Sequence, residues 1–401
     1  MRLDAEKWRD RPGLAHLLTA LGADRGLTRY VGGAVRDELL GVPVSDVDLA
    51  TRLLPDEVVR RLEAAGIKAV PTGIDHGTIT AVSSGQAVEV TTLRRDVSTD
   101  GRRATVAFTD DWKEDAARRD FTVNGLSADP FSGQIYDYFD GLADIVSRTV
   151  RFIGDPLERI AEDHLRILRF FRFHARFGGG PPDAAAVDAC TARANDLMAL
   201  SRERIADELL KLLGLPDPGP TVQLMIDRKI LSPVLPEIGE TGLAQLEDLK
   251  NIERECGLTA DPIRRLAALL PADPEEGAAV GARLRLSKLQ QKRLVFSLRR
   301  LPGSIYELAY RHGRDMATDR VALAGDWPAF DRILALRHLP QWTIPKLPIG
   351  GGALIQRGLT EGPIVARTLR AIEDAWIAAG FPTGQPFDII VSRAVSSARE
   401  S

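Results

Sequence analysis

Cysteine is nearly absent: Cys190 and Cys256 are the only two, and they stand far apart. A disulfide framework and a cysteine-based zinc site are therefore excluded, and a reducing, cytoplasmic setting is expected. No run of about 18 apolar residues occurs, so no membrane-spanning helix is expected. Residues 1–10 are charged and lack the apolar core of a secretion signal. A dominant charge is missing too: 53 Lys and Arg face 56 Asp and Glu, a formal net charge of −3. That excludes a uniformly basic nucleic-acid binder but leaves room for local basic patches. Neither an internal repeat of fixed period nor a long low-complexity tract is present. What remains is 44% apolar and 27% charged residues over 401 positions, enough for sizeable cores in about two to four domains.

Residues 28–150 carry short β-branched or aromatic runs bounded by turn residues. Strands are expected at 28–31, 47–50, 78–82, 87–92, 105–108 and 134–139, with helices over 34–40 and 55–65 between them. This mixture predicts an α/β or α+β unit. From Asp155 onward the pattern is helical: 157–176, 184–200, 202–213, 221–228 and 243–255, with a late helix at 364–379. Gly- and Pro-rich breaks at 178–182, 215–220 and 271–274 punctuate it. The expected division is 1–150, 151–215, 216–340 and 341–401.

The chemistry concentrates early. Gly32-Gly33 follows a strand and opens a helix, where free N–H groups can meet a phosphate and Arg36 can add a charged contact. Alone, that is equally a plain strand-to-helix turn. Asp46 and Asp48 follow at alternate positions, which points both carboxylates to one side. Facing carboxylates repel unless a cation joins them, and magnesium takes one or two carboxylates plus phosphate oxygens. A glycine turn with an Asp pair at this spacing points to phosphoryl transfer. Glu89, in Val88-Glu89-Val90, is either a third carboxylate or an outward-facing strand residue. Arg118-Arg119-Asp120 precedes an expected helix; its arginines can hold phosphate, and Asp120 or Asn124 can bond a ribose hydroxyl. Asp163, Arg166, Arg169 and Arg172 recur in steps of three along one expected helix. That spacing stands Asp163 beside Arg166 as an acceptor–donor pair able to read a base edge, or makes the row a solvated salt-bridge ladder.

In combination these stretches resemble the class II tRNA nucleotidyltransferases, the CCA-adding enzymes, and the related bacterial poly(A) polymerases. The resemblance rests on Gly32-Gly33-Ala34-Val35-Arg36-Asp37, Asp46-Val47-Asp48 and the stretch from Pro71 to Thr78. It continues through Arg118-Arg119-Asp120, Asp137 to Leu142, Glu162 to Phe173 and Ser201 to Leu209, in family order. It implies an α+β chain: a polymerase-β-like mixed-sheet head, then an all-helical neck, body and tail. It further implies transfer of CTP and ATP onto the 3′ end of tRNA, with Mg2+ on Asp46 and Asp48. Arg119 would bind the nucleotide, Asp163 and Arg166 would select its base, and Arg169 and Arg172 would add contacts. The loop 94–103, with Gly101 as pivot, would move between C and A addition. The family's optional phosphohydrolase domain is not expected, because none of the six histidines precedes an aspartate. Alternatives are poly(A) synthesis, addition of only CC or only A, and a catalytically silent RNA-binding protein. Poly(A) polymerases usually carry a basic Gly-Arg-Arg-Phe-like segment where this chain has Thr72 to Thr78, which favours CCA addition. Residues 282–300 hold seven basic and no acidic side chains, a helical stripe for RNA phosphates or a solvated face.

Overall fold

A computed structural model of the chain describes residues 2–44, 46–100 and 103–400. Two compact units emerge, one formed by residues 1–243 with 283–285, the other by 244–282 with 286–401.

The first unit is built on a seven-stranded mixed sheet. Its strands are β1 (Thr28–Val31), β2 (Asp48–Thr51), β3 (Lys68–Gly73), β4 (Thr78–Ser83) and β5 (Gln86–Thr92). A separate hairpin follows, β6 (Arg94–Asp100) and β7 (Arg103–Phe108). Two short strands, β8 (Ser127–Ala128) and β9 (Ile135–Tyr136), complete the sheet, whose order is β3-β4-β5-β2-β1-β8-β9. Only β2 and β5 run parallel, which sets their starting ends side by side. Leu49 and Val90 pair there and are buried, so Asp48 and Glu89, one step earlier, are exposed together. On the other flank Val31 pairs with Asp48, which brings the Gly32 turn next to the carboxylates.

Several sequence expectations change. The segment 94–103 is a hairpin where a loop was expected; Gly101 and Arg102 lie outside the described residues. The expected helix 157–176 is two helices, Pro156–Glu162 and Arg166–Phe177, with Asp163 extended between them. Asp155 caps the first, accepting from the backbone N of Leu157 (2.7 Å) and Glu158 (3.1 Å), with Pro156 in its first turn. Arg118-Arg119-Asp120 follows the helix Trp112–Ala117 and leads into a single 3-10 turn, Thr122–Asn124.

The second helix of the pair is held by its aromatics. Ile167, Leu168, Phe170, Phe171, Phe173 and Phe177 are all buried. Phe170 and Phe173 stack around Phe121 at centroid distances of 6.4 and 5.1 Å, and Phe152 joins at 5.0 Å from Phe121. Each such pair adds about 0.5–1.5 kcal/mol beyond its buried area. The cluster locks the 118–124 segment to the helix bearing Arg166 and Arg169.

The second unit is entirely helical among the described residues. Its chain includes Pro262–Leu269, Lys288–Ser297, Arg314–Ala322, Ala329–His338, Pro363–Ala378 and Gln385–Glu400. A core of Leu354, Ile372, Trp376, Phe387 and Val391 holds its C-terminal part. The last of these helices, Gln385–Glu400, lies beyond the late one that the sequence pattern singled out.

The basic stretch 282–300 is not one helical stripe. Arg285 takes a positive φ of 51° and breaks it ahead of the helix Lys288–Ser297. Arg283 pairs with Glu237 at 2.7 Å, and Arg285 with Glu203 at 2.7 Å. Arg293 pairs with Asp319 at 2.7 Å and Asp261 at 3.0 Å. Leu289, an apolar residue of the helix, is 66% exposed. Lys288, Lys292, Arg299 and Arg300 are exposed, as is the paired Arg285.

Candidate active site

Gly32 initiates the helix Gly33–Leu39 with φ 66° and ψ −130°, a conformation that favours glycine. A Cβ there would also stand 2.7 Å from Nη1 of Arg119, so the turn is bare for a second reason. This turn forms one wall of a cavity of about 420 Å³. Gly32, Gly33, Arg36, Arg119, Asp120 and Asn124 line it from the head side, together with Arg118. Asp163, Arg166, Arg169 and Phe173 line it from the helical side. Of the nucleotide-contact residues expected from the sequence, Arg172 alone is not on this wall.

The arginines are oriented by a chain of polar contacts. Arg36 is buried against Asp37 (2.6 Å) and donates through Nη1 to Oδ1 of Asn124 at 2.5 Å. Asn124 donates to Asp120 at 2.8 Å, and Nε of Arg169 donates to the other Asp120 oxygen at 2.8 Å. Arg169 also approaches Glu208 at 3.8 Å, and Glu208 accepts from Arg172 at 2.5 Å. Burial pulls the Asp120 carboxyl upward. The charge of Arg169 and the hydrogen bonds from Asn124, Arg169 and the Phe121 backbone outweigh it and hold the group below the usual carboxylate range. Asp120 is thus an internal ligand of arginine.

Asp163 and Arg166 share the cavity, but each is held by other groups. Oδ2 of Asp163 accepts from Arg204 at 2.6 Å, and Oδ1 accepts from the backbone N of Leu165 at 3.1 Å. Arg166 donates to Glu162 (2.5 Å) and to the carbonyls of Arg159 and Arg118 (both 3.0 Å). The backbone of Arg166 bonds back to the Asp163 carbonyl at 3.0 Å, so the two residues remain neighbours although Asp163 is outside the helix. Arg204, Glu208 and Glu162 were not singled out individually by the sequence. Their signal was present: an Arg–Glu spacing of four on the helix Arg202–Leu213, and a Glu–Arg spacing of four at 162–166.

The carboxylate pair lies beside this cavity. Asp46 precedes β2 and Asp48 opens it; both are exposed, with buried Val47 between them. The alternation expected from the sequence holds, though only Asp48 is in the strand. Asp46 borders a second cavity of about 520 Å³ with Arg11 and Gln86–Val88. Partial desolvation raises the Asp48 carboxyl above its usual value, and Glu89 and Asp46 raise it further, while Arg119 lowers it. Charge of one sign therefore accumulates at Asp48, and a cation relieves it. Among the described residues no group of three or more His, Cys, Asp or Glu could hold a metal ion. Two hard oxygen donors fit a divalent ion that completes its shell with phosphate oxygens and water. Five arginines on the cavity wall, against two carboxylates already engaged by Arg169 and Arg204, suit a polyanion beside that ion.

Known proteins agree with this geometry. The model of the poly A polymerase head domain matches residues 28–151, and that of a probable RNA- and SrmB-binding site of polymerase A matches 183–240. The mitochondrial CCA tRNA nucleotidyltransferase 1 of Mus musculus is 33% identical over 383 residues, covering 92% of this chain and 87% of its own. The CCA-adding enzyme of Lacticaseibacillus paracasei is 31% identical over 361 residues, covering 88% of each. The crystal structure of the Bacillus stearothermophilus CCA-adding enzyme in complex with CTP superposes with a TM-score of 0.66 at 26% identity. It covers 98% of this chain and all of its own. Members of this family are typically metal-dependent nucleotidyltransferases. No helix among the described residues is long and apolar enough to cross a membrane. With its glycine turn, Asp pair and arginine-lined cavity in one unit, the chain belongs to the class II family of CCA-adding enzymes and poly(A) polymerase heads.

Proposed function

We propose that this protein adds CCA to the 3′ end of tRNA from CTP and ATP, without a nucleic-acid template and with release of pyrophosphate. The observation that carries the reading is the single cavity bounded by the Gly32 turn at one end and by Asp163 and Arg166 at the other. The triphosphate lies against the Gly32-Gly33 turn, with Arg36 and Arg119 as its charged partners. The edge of the base meets Asp163 and Arg166. Both are held in one orientation by their other bonds, so the protein takes the place of a template. The 3′-hydroxyl of the tRNA attacks the α-phosphate, and the bond to the departing pyrophosphate breaks. Magnesium on Asp46 and Asp48 would activate that hydroxyl and stabilise the leaving group. Glu89 shapes the charge of the pair from the neighbouring strand.

Residues 1–150 act as catalytic head, 151–215 as neck with base recognition, 216–340 as tRNA-binding body and 341–401 as tail. Two free cysteines, Cys190 and Cys256, suit a reducing cytoplasm. The test is incubation of purified protein with tRNA transcripts ending before CCA, with CTP and ATP separately and together. Two C residues with CTP alone and a complete CCA with both are expected. A long A tail on unrelated RNA without use of CTP would instead identify a poly(A) polymerase.

A further inference from the structure

The second unit contains a cavity of about 180 Å³ that opens to solvent, and Arg299, Arg300 and Arg320 lie on its wall. Arg320 is only 4% exposed, and its Nε has no hydrogen-bond partner. Among the described residues its one ion pair is to Asp326, whose oxygens both stand 3.4 Å from Nη2 and whose side chain is half exposed. A charged pair normally closes to about 2.7–2.9 Å. The buried guanidinium is therefore poorly compensated, a costly arrangement unless another anion completes it. Asp248, also on the wall, does not serve, because it accepts from Arg332 at 2.8 Å. Arg299 and Arg300 are exposed and form no ion pair with another described residue.

We infer that this cavity is a binding site for a small phosphate-class oxyanion, distinct from the nucleotide cavity of the first unit. Three guanidinium groups offer the forked donors that match phosphate oxygens. The remaining wall includes the small or apolar Ala267, Ala272, Leu298, Leu323 and Gly325, which neither compete for the anion nor stack a base. The volume lies below the range of about 300–1,000 Å³ typical of drug-sized ligands, which favours a compact ion over a whole nucleotide. The anion is free inorganic phosphate or one phosphate of a bound RNA; both present the same tetrahedral oxygens.

The test is calorimetric titration of inorganic phosphate into the full-length protein saturated with CTP, at ionic strength held constant with chloride. One phosphate per chain is expected. Arg299→Ala with Arg300→Ala should weaken it about tenfold or more while CTP affinity stays at the parent value. Arg320→Gln should abolish it, with the melting curve recorded to separate loss of binding from loss of fold. Because the exposed double variant leaves the interior intact, it decides the matter if Arg320→Gln fails to fold. No phosphate binding beyond the chloride control, or equal binding by the double variant, overturns the site. Failure of CTP to bind would count against the nucleotide cavity instead and is read in a separate titration of CTP into the same protein beforehand. Repeating the titration with tRNA lacking CCA identifies the source: displaced phosphate means an RNA phosphate occupies the site, and retained phosphate means a free ion does.

Discussion

Two arginine–carboxylate networks, one in each unit, use the same side chains for different ends. In the second unit Glu253 accepts from Arg264 and Arg265, both at 2.9 Å. Asp319 accepts from Arg264 and Arg293, each through Nε at 2.9 Å. Asp261 closes the far end against Arg293 at 3.0 Å and caps the helix Pro262–Leu269. Glu253, Arg264, Arg265 and Asp319 are all buried, and none lines the cavity of that unit. In the first unit the chain Arg36–Asn124–Asp120–Arg169–Glu208–Arg172 is as well bonded, yet Arg36, Asp120, Asn124 and Arg169 also face open space. Arginine content does not separate a site from a strut. What separates them is whether the carboxylates close the network or leave donors directed at a cavity.

The largest effect should come from the charges outside either network. Asp48→Ala, or Asp46→Ala, removes a carboxylate facing the cation, and the loss of several kcal/mol of charge stabilisation lowers incorporation by about 10³-fold or more. Filter binding should find tRNA affinity unchanged. Incorporation that survives both changes would remove the pair from the chemistry.

Next comes the closed network. Glu253→Gln removes the charge that buried Arg264 and Arg265 share, and a broken buried pair costs about 3–5 kcal/mol. Urea unfolding should show that loss, whereas the turnover of molecules still folded stays at the parent value. A variant with parent stability but impaired turnover would reverse the contrast drawn between the two networks.

The sequence carries the candidate site of the first unit better than the closed network of the second. Gly32-Gly33, Arg36, the Asp pair and Arg119 were legible because short-range pattern fixes them: a turn, an alternation and a charged run. Asp163 was misplaced in a helix because neither glycine nor proline marks the break at 163–165. The break is made instead by Asp163 itself, whose side chain accepts from the Leu165 backbone. The strand pattern shows in β7, where 105–108 is expected extended, but not in β6, because the arginines and aspartates of 94–100 hide the alternation. The basic stretch 282–300 misled for the opposite reason. Its partners Glu237, Glu203, Asp261 and Asp319 are distant in sequence, and no local pattern announces them.

A smaller effect should follow from loosening a carboxylate on the same cavity wall as the open network. Arg204→Ala removes the 2.6 Å partner of Asp163 without touching the Asp pair. We expect the KM for CTP and ATP to rise about tenfold, the cost of one charged hydrogen bond. Misincorporation of UTP or GTP should appear, and Arg204→Lys should restore part of the selectivity. Equal loss in kcat with fidelity intact would mean that Arg204 serves the fold rather than the orientation of Asp163.

The smallest predicted effect tests whether Glu89 belongs to the carboxylate site. Burial, Glu89 and Asp46 together raise the Asp48 carboxyl, so it takes up a proton more readily than an ordinary aspartate. Activity that needs the ionised form is then lost on acidification at a higher pH than an ordinary aspartate would give. Glu89→Gln removes one of the two repelling charges, so the acid limb of the pH–rate profile should move down, by less than about one pH unit. Stability follows the same sign. A carboxyl raised in the folded state favours the fold at low pH and loses that contribution as pH rises through its folded value. The variant should therefore melt slightly higher than the parent near neutrality and equally at strongly acid pH. An unmoved limb would disconnect Glu89 from Asp48. A loss of about 10²-fold or more at every pH would mean that Glu89 holds the cation itself, a role that its place on the neighbouring strand permits.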